Sequence, residues 1–279
     1  MNALIQQAKQ EHYAIPQINV NGLLWIESIL EAAEATRSPI ILGTTDKVVE
    51  FLGGYHFICT TIKNKIKAMN ITIPVIVHLD HGLTVENCKK AVDAGYDSVM
   101  YDGSKLSIEE NIKQTKAVVE YAHNNKVIVE GEVGAIGGNE DGVVGNVKYA
   151  DLDDCIRLAQ EAKLDTLAPA LGSVHGKYQG EPDLGFSEMK AIQEAIDIPL
   201  VLHGASGISD EDLLTAIHLG HAKINFNTEI NIAWSNQLRQ TLNQDKSLFN
   251  PQQILKPSKA AMVETIKSII YKCTSYNRV

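Results

Sequence analysis

The fold is decided by residues 71–82, ITIPVIVHLDHG, where an apolar run ends on His78, Asp80 and His81. A run this uniformly apolar, without polar alternation, fits a parallel strand covered on both faces. Its polar end needs another explanation, because buried titratable groups cost free energy unless they are paired. Seven further runs share the pattern: AIPQINV (14–20), PIILGT (39–44), DSVMYD (97–102), VIVEGEV (127–133), DTLAPAL (165–171), IPLVLHG (198–204) and AKINFN (222–227). Between them lie helical stretches such as 23–36, 107–125 and 151–163, and starts such as ISDEDLL (208–214) carry Ser, Thr or Asp caps. Repeated strand–helix units with no linker predict an α/β fold, a (β/α)8 barrel of one domain over residues 1–279. An open doubly wound sheet is the competing layout, and it lacks a GxGxxG after the first strand. The stretch from Pro257 begins as an amphipathic helix, an addition that packs either on a partner subunit or on its own barrel.

Composition narrows the function. The net charge is −9, from 25 Lys+Arg against 34 Asp+Glu, which disfavours a nucleic-acid binder that must displace counterions. No apolar stretch is long enough to span a bilayer, and the first residues, MNALIQQAKQEH, are too polar for a secretory signal. The cysteines (Cys59, Cys88, Cys155, Cys273) lie far apart with no C-x-x-C pair, as reduced thiols do in a cytosolic protein. These features predict a cytoplasmic protein with neither a membrane nor a nucleic-acid partner.

A barrel places its active site at the C-terminal strand ends. Those ends carry Asn19, Thr45, Asp80, His81, Asp102, Glu130, Glu132, His175, His203, Asn225 and Asn227, whereas the opposite ends show Ile15, Ile40, Ile73, Val127 and Ile198. A lone histidine usually satisfies a local backbone group; three converging on one rim suit a catalytic zinc with an open position. His81, His175 and His203 are the expected ligands, and Gly82, Gly176 and Gly204 follow them in turn. His78, earlier in its strand, is expected to pack or hydrogen-bond inside. Asp80 abuts a ligand, where a proton donor to a developing alkoxide is needed. Asp102, Glu130 and Glu132 suit supporting partners or an alternative metal position.

The glycine-rich segment after the fifth strand, 134–151, reads as a functional lid, and its Glu140 is a candidate mobile base. HGASG (203–207) and NFNTE (225–229) fall where barrels bind phosphate. The amides of Gly204, Ala205 and Ser206, with the hydroxyls of Ser206 and Thr228, are expected to cradle it.

Together HLDHG, VEGEVGAIGGNEDG, LGSVHGKYQGEPDLGF, LVLHGASG and KINFNTE resemble the class II, metal-dependent fructose-bisphosphate aldolase family over essentially the whole chain. The resemblance implies a dimeric or tetrameric barrel that reversibly cleaves a phosphorylated ketose to dihydroxyacetone phosphate and an aldehyde. It implies that His81, His175 and His203 hold Zn2+, and that Asp102 and Glu132 hold a second divalent position. Asp80 exchanges a proton with the substrate hydroxyl, and Glu140 takes one from the dihydroxyacetone phosphate carbon. Gly176, Lys177, Gly204, Ser206, Asn225 and Thr228 contact the phosphate or a monovalent cation beside it. The sequence departs from the family at Lys105, where a histidine is usual, and at Asn250-Pro251-Gln252, where Asp-Pro-Arg is usual and the arginine binds a second phosphate.

Fructose 1,6-bisphosphate is the family's default substrate. Stretches such as NGLLW, GSKLSIEENI and LGHAKIN resemble instead the inositol-catabolism branch, which cleaves 6-phospho-5-dehydro-2-deoxygluconate and has malonate semialdehyde as the aldehyde. Three rivals remain: tagatose 1,6-bisphosphate cleavage, a Schiff-base aldolase using Lys223, and a sugar-phosphate-binding barrel without catalysis.

Overall fold

The computed structural model describes residues 2–140, 143–145, 148–176 and 182–279, with backbone alone at 138–140 and 143–145. The eight expected strands are β1 (Ile15–Asn19), β2 (Ile40–Thr45), β3 (Val75–Gly82), β4 (Ser98–Tyr101), β5 (Ile128–Val133), β8 (Thr166–Pro169), β10 (Leu200–Leu202) and β11 (His221–Phe226). They close a barrel in the order β1-β11-β10-β8-β5-β4-β3-β2, every pair parallel. The predicted (β/α)8 barrel is the observed fold.

Three elements go beyond the repeat. A first helix, α1 (Asn2–Gln10), closes the N-terminal end of the barrel. There Ile5 and Ala8 join Ile15, Ile41, Ile76, Ile128 and Ala222 in a small apolar cluster, so the lower layer inside the barrel is dry. The glycine-rich segment folds into two short antiparallel strands, β6 (Gly137–Glu140) and β7 (Val143–Gly145). β6 then pairs in parallel with β9 (Val174–His175), aligning Gly138 with His175. The last helix, α11 (Pro251–Lys272), lies against α2 (Leu23–Thr36), where Lys259 pairs with Glu27 and Glu31. It therefore covers its own barrel.

Above the dry layer the interior turns polar. Gln17, His78, Glu130 and Lys223 are all at most 2% exposed, and each sits on a barrel strand. Side chains at alternate strand positions point inward, so a polar inward position near the C-terminal end feeds the rim directly. The four cysteines are buried and none is in a disulfide. Among the described residues, no helix is long and apolar enough to cross a membrane.

Candidate active site

The stretch that opened the sequence is bent where it becomes polar. Leu79 pairs with Val99 but Gly82 pairs with Tyr101, so β3 carries one residue more than β4 across that interval. This bulge turns Asp80 and His81 toward the barrel mouth, as bulges beside active sites often do. His81 takes φ 51°, a left-handed conformation that costs a non-glycine residue about 1–2 kcal/mol. Gly82 makes the turn fit, since a Cβ there would meet the Met100 carbonyl at 2.6 Å and the Cys88 Sγ at 2.7 Å.

His81, His175 and His203 come together as the sequence predicts, their ligand nitrogens within 4.8 Å of one another. Hydrogen bonds assign the two best-anchored rings. His81 Nδ1 lies 2.9 Å from Asp102 Oδ2, and His203 Nε2 lies 2.8 Å from Glu130 Oε1. Each carboxylate accepts that proton, which leaves His81 Nε2 and His203 Nδ1 as lone-pair nitrogens facing each other at 3.0 Å. Such a pair repels unless a cation sits between the two nitrogens, either a proton on His81 Nε2, which makes this an ordinary hydrogen bond, or a metal ion. Zinc–nitrogen bonds of about 2.0–2.1 Å at the tetrahedral angle would set such nitrogens roughly 3.3 Å apart. The donor set fits a divalent ion.

Electrostatics agree. Burial alone would lower the His81 pKa, yet Asp80, Asp102 and Glu132 raise it to about 10, so this position calls for positive charge. His175 is lowered to about 4, by burial first and then by His81. His203 falls well below its usual range for the same two reasons. Burial would raise the Asp80 carboxyl, but His81 and His203 hold it down to about 2. Glu132 goes the other way, raised well above the ordinary range by burial and Asp102. Its buried Oε2 has no hydrogen-bond partner among the described residues and lies 3.8 Å from His81 Nδ1. His81, Asp102 and Glu132 also form a second potential donor set, so the two metal positions would share one ring.

Around this cluster lies a cleft lined by Asn19, Thr45, Asp80, His81, His175, Gly176, Gly204, Ser206, Asn225, Phe226, Asn227 and Thr228. Asn225 and Asn19 donate to the two oxygens of Asp80 at 3.2 and 3.4 Å, fixing the carboxylate toward the rings. Thr45 caps the following helix, its Oγ1 accepting from the Val48 amide. Asn227 accepts from Asn21 at 2.8 Å and from Asn231 at 2.9 Å. Ser206 Oγ is buried, with no hydrogen-bond partner among the described residues, as an anion ligand should be.

Other expected residues fall elsewhere. Ala205 does not line the cleft: its amide donates to the Asn225 carbonyl at 3.2 Å and its methyl group is in the core. That amide is used to hold the loop against β11. Glu140 ends β6, and its side chain lies outside the described part, as does Lys177 entirely. Gln252 is exposed in the first turn of α11, where Asn250 caps the helix. His78 is inside the barrel, as expected, at 2.8 Å from Ser98 Oγ.

Lys223 is buried and its ammonium is 2.7 Å from Glu130 Oε2, so it does not stand as a free Schiff-base amine in the cleft. Sequence reasoning missed Gln17, Asn21, Phe226 and Asn231, and missed that Lys223 and Glu130 pair. The inward phase of Gln17 and Lys223 on their strands was the available signal.

Comparison with known proteins follows the same lines. Residues 1–278 match the family described as Fructose-bisphosphate aldolase class-II. The chain is 52% identical over 268 residues to the 6-phospho-5-dehydro-2-deoxy-D-gluconate aldolase of Halalkalibacterium halodurans, covering 96% of this chain and 93% of that one. It is 45% identical over 279 residues to a fructose-bisphosphate aldolase of Staphylococcus epidermidis, covering 100% and 98%. Among solved structures, the YdjI aldolase of Escherichia coli K12 superposes with a TM-score of 0.87 at 32% identity, covering 99% of this chain and 97% of that one. With residues 1–278 matched to the family and 96% of the chain covered at 52% identity, the chain belongs to the class II fructose-bisphosphate aldolase family and is an aldolase, a carbon–carbon lyase.

Proposed function

We propose that this protein cleaves 6-phospho-5-dehydro-2-deoxygluconate reversibly to dihydroxyacetone phosphate and malonate semialdehyde, rather than acting on fructose 1,6-bisphosphate, the family default. The higher identity to a relative named for that substrate, 52% against 45%, carries the choice. Two features of the chain support it. Gln252 replaces the arginine expected in bisphosphate-cleaving relatives, and among the described residues the cleft is lined by no Lys or Arg that could take its place, Lys177 lying outside them.

A divalent ion held by His81, His175 and His203, zinc in this proposal, would act as a Lewis acid on the ketone carbonyl. The chain's own groups supply the rest. Asp80, ionised and fixed by Asn19 and Asn225, takes the proton of the hydroxyl on the carbon released as aldehyde. Glu140 holds the proton that moves to and from the dihydroxyacetone phosphate carbon. Gly176, Lys177, Gly204, Ser206, Asn225 and Thr228 anchor the phosphate or a monovalent cation beside it. Asp102 and Glu132 offer the second metal position. A cytoplasmic location and assembly as a homodimer or homotetramer complete the proposal; Phe249, 89% exposed before α11, is surface that a second copy would cover.

The test is cleavage of 6-phospho-5-dehydro-2-deoxygluconate, fructose 1,6-bisphosphate and tagatose 1,6-bisphosphate, each with and without chelator, with dihydroxyacetone phosphate read by a coupled dehydrogenase. A chelator-sensitive kcat/KM at least about tenfold higher for the first, or about 1.4 kcal/mol, is expected. A preference for either bisphosphate would overturn the substrate assignment.

A further inference from the structure

Beneath the three rings lies a buried ion pair that no step above uses. Lys223 on β11 and Glu130 on β5 are 2% and 1% exposed, and Nζ stands 2.7 Å from Glu130 Oε2. Burying two charges costs several kcal/mol in desolvation, and an apolar pair of similar volume usually holds a core as well. Packing alone therefore gives no reason for them.

Their neighbours give one. Glu130 Oε1 lies 2.8 Å from His203 Nε2, so one carboxylate spans the ammonium and the ring. Lys223 Nζ is also 3.5 Å from His78 Nε2, and His78 Nδ1 is 2.8 Å from Ser98 Oγ. Only one proton arrangement satisfies this chain. Lysine has donors alone, so Glu130 and His78 Nε2 both accept from it. Glu130, an acceptor through its other oxygen, then takes the proton of His203 on Nε2, which leaves Nδ1 as the acceptor nitrogen, with Asn225 Nδ2 at 3.3 Å. His203 Nδ1 also faces His81 Nε2 at 3.0 Å.

We infer that Lys223 and Glu130 are positioning residues for the metal site: the ammonium fixes the carboxylate, and the carboxylate fixes the tautomer and tilt that aim His203 Nδ1 at the ion. Asp102 does the same for His81 from the rim, through the opposite ring nitrogen. The two rings thus present unlike nitrogens to one point, each set by a carboxylate. Lys223 acts from inside the barrel without reaching the cleft. The inference rests on the three-histidine metal site proposed above.

The decisive variant is the double substitution Lys223→Met with Glu130→Leu, which removes both charges and keeps the space filled. Zinc dissociation constants come from competition with a chelating dye, and folding from melting of the metal-free proteins. Metal-free melting at or near that of the parent is expected, with a zinc dissociation constant raised by about 10–100-fold, the usual effect of losing a ligand's hydrogen-bond partner. Nitrogen-15 histidine NMR of the zinc-loaded parent should place the His203 proton on Nε2 and the metal shift on Nδ1, a readout that needs no variant.

Two results overturn the inference. One is a folded double variant that binds zinc as the parent does, showing that the pair only fills the barrel; the other is a parent spectrum with the His203 proton on Nδ1. A parent that binds no zinc at all would instead remove the metal site beneath the inference.

Discussion

Replacing Asp80 by Asn tests the proton-transfer role with almost no change of shape. The carboxylate accepts from Asn225 Nδ2 at 3.2 Å and Asn19 Nδ2 at 3.4 Å. An asparagine can accept at only one end. Its oxygen should keep the shorter contact to Asn225, turning its NH2 toward Asn19, a donor facing a donor. Losing that long hydrogen bond, and with it the attraction of His81 and His203 for the charge, costs about 2–4 kcal/mol, a melting shift of roughly 5–15 °C. The kinetic loss has a separate cause, because an amide cannot take the hydroxyl proton. Positioned acid–base groups contribute about 10²–10⁴-fold, or roughly 2.7–5.5 kcal/mol, and the fall should appear equally in kcat and kcat/KM. In the proposed mechanism Glu140 exchanges the dihydroxyacetone phosphate C–H proton with solvent, so that exchange should persist in Asp80→Asn and vanish in Glu140→Gln. Both assays are run at saturating zinc, with metal content measured. Cleavage above about a tenth of the parent rate, or exchange and cleavage falling together at full occupancy, would refute the assignment.

Other consequences can be measured separately. Chelation should abolish cleavage and added zinc should restore it; at free zinc 100-fold above its dissociation constant, the bound form should be more stable by about 2.7 kcal/mol, and chelator-resistant turnover would count against the site. Gly204→Ala should destabilise by about 2–3 kcal/mol in denaturant melts, because φ is +64° and a Cβ would meet the Val174 carbonyl at 2.3 Å; an unchanged midpoint would contradict that packing. His221, buried with Nδ1 donating to the Ala216 carbonyl, is lowered from 6.5 to about 4 by burial. The unfolded chain then binds more protons between those values, so stability is full above pH 6.5 and is lost as pH falls toward 4. At pH 5 the loss from this group is about 2 kcal/mol. His221→Asn keeps a donor to Ala216 and should flatten that slope; an unaltered pH dependence would show that the acid sensitivity arises elsewhere.

What could be read from residue order was whatever has a local cause. Apolar runs set the strands, Ser, Thr and Asp caps set helix starts such as Ser107, Asp151 and Ser209, and eight repeats set a closed barrel. Polar residues at the strand ends then named the rim, and with it His81, His175, His203 and Asp80. What the sequence could not contain was any relation between distant strands. Whether Glu130 meets Lys223 depends on register and closure across the barrel, which no local pattern encodes. The bulge that turns His81 comes from one unmatched residue between β3 and β4, and so depends on pairing as well. Ala205 shows the same limit from the other side: its place in HGASG suggested an anion-binding amide, and the strand beside it took that hydrogen bond instead. The types of side chain at the site follow from local chemistry. Which nitrogen of each ring carries the proton is decided by long-range hydrogen bonds, and those exist only once the barrel is closed.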